Sequence, residues 1–276
     1  MKSTLCLGLV CLVALSGCRN AQKEASKEKE DVTAVVAPNF QNKGHELVYK
    51  MVQKVGDYNK LLQKQDVVYT YTYQTPDGKT DFSTEKYLFD GELSYGLLKQ
   101  HERTLPELDG TIEQGYDGAE YWIKHNGAEL QDPAIVKRAV FSRATNFYWF
   151  AMMQKLLDPG IKYQYVGEKI SNGIGYDVVK IDFESNDNKP KDTYQLYINQ
   201  QTNLVDQFLF TVVDFGKIDP MLMKLEYENV EGILIPTKRK YKASNWDALE
   251  TKDPWILVNW TNIKFNNQLT RAEFKK

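Results

Sequence analysis

The strongest constraint on the fold is a period of two that returns, between turn signals, across most of the chain. Val67, Tyr69, Tyr71 and Tyr73 alternate with Val68, Thr70 and Thr72, and Thr75-Pro76-Asp77-Gly78-Lys79 then supplies a turn. Successive side chains of a strand point to opposite faces, so this alternation describes a ribbon with one buried and one wetter side. Similar segments follow at 82–90, 93–102, 112–116 and 119–125, with Asp117-Gly118 and Asn126-Gly127 as tight-turn signals. The alternation resumes later in the chain. Val179, Ile181 and Phe183 share one face after the Asn172-Gly173 turn, and Tyr194, Leu196 and Ile198 share another. Further strands read at 205–213, 222–230, 233–243 and 256–265. This spacing predicts an antiparallel meander of about ten or eleven strands. A content of 17 Tyr, 12 Phe and 5 Trp favours strands as well. No composition break divides residues 40–276, which read as one domain, mainly β with some helix (α+β).

Two segments change period. Leu47, Val48, Met51, Val52, Val55, Tyr58, Leu61 and Leu62 recur at helical spacing and predict an amphipathic helix over 44–63, with Gly56-Asp57 a candidate break. A second helix is predicted from Pro133, with Asp132 as N-cap, to the stop at Asp158-Pro159-Gly160. Within it Phe147-Tyr148-Trp149-Phe150-Ala151-Met152-Met153 is apolar around most of the circumference, the mark of a buried helix. Arg143 and Lys155 interrupt it too closely for a membrane span.

The N-terminus speaks to location. Met1-Lys2 is a short positive start, residues 5–15 are an apolar run, and Ala14-Leu15-Ser16-Gly17 leads into Cys18. The run has signal-peptide length and falls short of a bilayer span. The ending resembles the bacterial lipobox. That resemblance implies removal of residues 1–17 as a signal peptide and lipidation of Cys18. Several acyl chains on one residue anchor stably where a single chain holds marginally. The expected place is the cell envelope, lipid-anchored in the outer membrane of a Gram-negative bacterium. Residues 18–39 are the lipidated Cys and a charged linker, whose Lys23 to Asp31 stretch lacks apolar periodicity. The 3 cysteines are Cys6, Cys11 and Cys18, so residues 40–276 contain no thiol and no disulfide.

A wider resemblance rests on an ordered series of segments. These are Gly115-Tyr116-Asp117-Gly118-Ala119-Glu120-Tyr121-Trp122, then Phe147-Tyr148-Trp149-Phe150 leading to Lys155-Leu156-Leu157-Asp158-Pro159-Gly160. Gly175-Tyr176-Asp177-Val178-Val179-Lys180-Ile181, Tyr194-Gln195-Leu196-Tyr197-Ile198-Asn199 before Thr202, and Gly232 to Pro236-Thr237 follow. The series resembles the LolA/LolB-type lipoprotein carriers, and more closely a family of exported bacterial lipoproteins grouped with them (an outer-membrane lipoprotein-sorting-like family). The resemblance implies a curved antiparallel half-barrel covered by helices. It implies, by analogy of fold alone, a hydrophobic or lipid-like ligand.

Chemistry is sparse. With 35 Lys+Arg against 37 Asp+Glu the net charge is −2, which lacks the basic excess of a nucleic-acid binder. His45, His101 and His125 have no partner at metal-ligand spacing. Gly91-Glu92-Leu93-Ser94-Tyr95-Gly96 is out of register for a nucleophile elbow. No cofactor motif and no catalytic constellation is present, so no enzyme is expected. The candidate site is a cavity between sheet and helix, lined by Tyr69, Tyr71, Tyr73, Phe147, Trp149, Phe150, Met152 and Met153. Met adapts to irregular apolar ligands, and tyrosine hydroxyls suit an amphiphile with a polar head. Two readings follow. One is a monomeric, lipid-anchored binding protein for a hydrophobic small molecule or lipoprotein acyl chain; the other is a scaffold lipoprotein whose cavity is filled by its own side chains. An open apolar cavity favours the first and a packed one the second.

Overall fold

The computed structural model describes residues 38–184 and 190–276. The expected signal peptide over 1–17, Cys18 and the linker as far as residue 37 lie outside the described residues.

The tyrosine-rich alternation forms β1 (Asp66–Gln74), followed by β2 (Thr80–Leu88), β3 (Leu93–His101), β4 (Ile112–Tyr116), β5 (Tyr121–His125) and β6 (Ala128–Glu129). Each pairs antiparallel with the next, so the first half of the domain walks outward from β1 to an edge. Helix α3 (Pro133–Lys155) then carries the chain back. From the opposite edge, β7 (Ile161–Ser171), β8 (Ile174–Phe183), β9 (Thr193–Asn199), β10 (Val205–Val212), β11 (Lys217–Val230), β12 (Ile233–Ala243) and β13 (Ile256–Phe265) walk inward. The walk ends where β13 pairs with β1, giving the order β6-β5-β4-β3-β2-β1-β13-β12-β11-β10-β9-β8-β7. The result is one antiparallel sheet of 13 strands whose two edges do not meet, with helices on one face. This is the expected half-barrel class, with two more strands than the alternation predicts. They are β6, only 2 residues long, and β7, whose alternation is interrupted by a register shift between Tyr165 and Gly167.

The helices follow their local signals. Helix α1 (Lys43–Val55) starts at Asn42, whose side chain accepts from the His45 N–H, and buries Val48, Met51, Val52 and Val55. It stops at Gly56, which takes φ +96 where a Cβ would lie 2.9 Å from Ile233 Cδ1. Asp57 then caps the short α2 (Tyr58–Leu62), so Gly56-Asp57 is the break that the sequence predicts. Helix α3 begins as expected, with Asp132 accepting from the Ala134 and Ile135 N–H groups and Pro133 in the first turn. No helix among the described residues is long and apolar enough to cross a membrane.

Helix α3 contributes to three core clusters, the first holding Ala139 with Leu98, Leu105, Ile112 and Ile123. Met152 and Met153 join Val48, Val52, Ile181, Leu196 and Phe208 above the later strands. Phe147 and Phe150 join Tyr69, Tyr87, Phe89, Trp260 and Phe265 above the central ones. On the other face of the sheet, Tyr176, Val178, Tyr197, Leu209 and Leu222 pack with Trp255 from the loop before β13. The three histidines serve local structure. His45 stacks on Tyr163 at 4.6 Å, His101 bonds the Leu105 and Gly110 carbonyls, and His125 bonds the Asp109 carbonyl at 2.5 Å.

Candidate functional site

One helix carries two adjacent stripes, and the difference between them creates a cavity. Ala139, Arg143, Phe147, Phe150, Ala151 and Gln154 are the buried stripe of α3. A turn to the side, Arg138, Ser142, Thr145, Asn146 and Trp149 follow the same 3.6-residue spacing and face open space. Ser142, Thr145 and Asn146 are too small to reach the sheet, so a volume of about 450 Å³ remains between helix and strands. That lies within the ~300–1,000 Å³ of ordinary ligand pockets.

The floor comes from the centre of the sheet. Tyr71 and Tyr73 of β1 sit opposite Trp260 and Val258 of β13. Val258 in turn sits opposite Arg239 of β12, and Met223 of β11 sits opposite Tyr241. Antiparallel partners directly across from each other share a face, which sends all of these side chains inward. Phe210 and Met221 extend the apolar wall. At the mouth, Phe141 of α3 meets Phe215 of the short turn after β10, ring edge to face, at 4.4 Å. Lys217 and Arg103 also line the cavity.

The cavity holds few polar groups. The Tyr73 hydroxyl bonds the Tyr241 hydroxyl, and Arg103 stacks on the Tyr73 ring at 4.0 Å while pairing with Asp81 at 3.1 Å. Burial pushes the hydroxyl pKa values of Tyr71 and Tyr241 upward, so both stay protonated donors at neutral pH. Arg239 is 5% exposed. Its guanidinium lies 3.6 Å from the Trp260 ring centre and 5.7 Å from that of Trp149. Burial pulls its pKa down to about 10, which leaves it charged at pH 7.

A second buried arginine behaves differently. Arg143 and Glu85 are both 1% exposed and pair at 2.8 Å. Glu85 also accepts from the Ser83 hydroxyl at 2.6 Å and the Tyr87 hydroxyl at 3.1 Å, and the Tyr87 and Tyr69 hydroxyls are 2.8 Å apart. Gly96 makes room for this pair, since a Cβ there would stand 2.6 Å from Arg143 Nη1. Asp81 is held by the Arg103 N–H and by the Thr104 N–H and hydroxyl. Both carboxylates near the cavity are thus committed to protein donors.

Three of the eight residues proposed from sequence border the cavity: Tyr71, Tyr73 and Trp149. The other five do not: Tyr69, Phe147 and Phe150 pack in the cluster above the central strands, and Met152 and Met153 in the one above the later strands. The reason is angular. Neighbouring residues on a helix differ by about 100° in direction, so Trp149 and Phe150 cannot share a surface. The methionines that do border the space are Met221 and Met223 of β11. Arg239 is a site residue that charge alone does not suggest, yet its place after Ile233, Ile235 and Thr237 puts it on the inward face.

No protein-family model matches this chain, and no curated protein matches it. Among solved structures, a DUF1329 family protein from Desulfovibrio piger matches with TM-score 0.50 and 15% identity, covering 84% of this chain and 95% of that one. A LolA superfamily protein from Nitrosomonas europaea matches with TM-score 0.49 and 12% identity, covering 84% and 97%. A putative outer membrane lipoprotein-sorting protein domain from Vibrio parahaemolyticus gives 0.49 and 10%, covering 84% and 96%. The likeness to the Desulfovibrio piger protein is one of fold.

Proposed function

We propose that this chain is a lipid-anchored binding protein of the cell envelope that holds a hydrophobic or lipid-like ligand between α3 and the sheet. The observation that carries the reading is the open volume of about 450 Å³ walled by Trp149, Phe210, Met221, Met223 and Trp260. A well-packed interior leaves few voids larger than a water molecule, so space of this size under small polar helix residues favours a ligand over self-filling. The anchor rests on Cys18 and the apolar run before it.

The test fills the space from the helix. Thr145→Phe places a ring in the cavity without touching the buried stripe. Wild-type protein is expected to bind the neutral dye N-phenyl-1-naphthylamine at one site with enhanced emission. Thr145→Phe is expected to lose that binding at least tenfold while keeping its unfolding midpoint. Absence of dye binding by the wild type contradicts the reading, as does equal binding by the filled variant.

A further inference from the structure

Among the described residues two arginines are buried between α3 and the sheet, and only one has a carboxylate. Arg143 is matched by Glu85 within the fold. Arg239 makes no hydrogen bond or ion pair among the described residues, and its Nε is buried without a partner. An uncompensated buried cation is costly, and its contacts with the indole faces of Trp260 and Trp149 offset that cost only in part. The charged residues bordering the cavity are Arg103, Arg138, Lys217 and Arg239, with no Asp or Glu among its lining. Arg103 is already paired with Asp81, and Arg138 donates to the Thr104 carbonyl. That leaves Arg239 as the deep cation without a counter-charge. Tyr71 borders the same space, and its hydroxyl makes no hydrogen bond among the described residues. Tyr71 sits directly opposite Trp260, the residue whose ring centre lies 3.6 Å from the Arg239 guanidinium.

We infer that the ligand is an amphiphile with an anionic head, a carboxylate or a phosphate monoester, whose head pairs with Arg239 and accepts from the Tyr71 hydroxyl. The inference rests on the binding reading proposed above and names the class of ligand. The guanidinium is a planar fork that matches two oxygens of either head, and the pairing strengthens in a site with little water. The tail then has Trp149, Phe210, Met221 and Met223 to lie against. A cation above two indole faces is already oriented, so the head meets a fixed donor pair.

The experiment displaces N-phenyl-1-naphthylamine from the full-length protein with three ligands of equal chain length: palmitate, hexadecyl phosphate and neutral 1-hexadecanol. One charge-assisted pairing predicts that an anionic ligand competes about 10- to 100-fold better than the alcohol. Palmitate ahead of hexadecyl phosphate identifies a carboxylate head, and the reverse order a phosphate. Arg239→Met is expected to abolish the preference and leave competition by 1-hexadecanol within about twofold. Arg239→Lys, which keeps the charge and loses the fork, is expected to retain part of it. Equal competition by all three ligands in the wild type overturns the inference whatever the variants do, and so does a preference that survives Arg239→Met. Failure of the dye itself to bind refutes the binding reading instead, so the two are separable.

Discussion

Glu85→Gln is expected to destabilise the domain by ~3–5 kcal/mol, the usual cost of removing one partner from a buried ion pair. The loss comes less from the pair's own attraction than from what remains. Arg143 would keep its charge at 1% exposure, with Gly96 and the aromatic core around it and no carboxylate. Burial works against that charge, and Glu85 now overrides it, holding the Arg143 pKa above its usual value. The Ser83 and Tyr87 hydroxyls, which both donate to Glu85, would share an amide oxygen in its place. The double variant Glu85→Leu/Arg143→Met removes both charges and is expected to recover most of the stability, since apolar replacement of a buried pair is often neutral. Denaturant unfolding of Glu85→Gln and of the double variant reads this directly. A single variant that loses less than about 1 kcal/mol would show that the pair is not isolated from water.

Phe150→Ala and Trp149→Ala are expected to differ although they are neighbours in sequence. Phe150 is buried and stacks on Tyr69 at 5.2 Å, with Trp260 at 5.4 Å and Tyr87 at 5.6 Å around it. Removing its ring strands close-packed aromatic neighbours around a new void, at a cost of ~3–5 kcal/mol. Trp149 touches Phe210 at 5.1 Å and Phe208 at 5.7 Å but turns its other side to space that is already open. Its truncation is expected to cost on the order of 1–3 kcal/mol and to weaken dye binding, because it widens a cavity without creating one. Equal losses of stability, with dye binding unchanged in Trp149→Ala, would place Trp149 in the core beside Phe150.

Much of the architecture was readable from local signals. Alternation fixed eleven of the 13 strands, Gly56-Asp57 broke the first helical pattern, and Asp132-Pro133 started the long helix. The site was less readable. A segment that is apolar all round predicts burial but not which residue meets which surface, so Trp149 and Phe150 could not be separated. The polar stripe of Ser142, Thr145 and Asn146 looks like a solvent face until the sheet is set beneath it. Charged residues read as solvated by default. Position in the alternation carries a signal for Arg239, which follows Ile233, Ile235 and Thr237 on the inward face, but none for Glu85, whose neighbours on the same face, Asp81 and Ser83, are polar.

Whether the cavity holds a ligand is tested most directly by a native mass spectrum of the full-length protein extracted from its own membranes. The expected spectrum shows a polypeptide short of residues 1–17, carrying acyl chains covalently on Cys18. One further molecule of lipid-like mass is expected with it, released on collisional activation and missing from the Thr145→Phe variant. A wild-type protein that carries no such molecule under the mildest conditions, with the same spectrum in the filled variant, would contradict the binding reading.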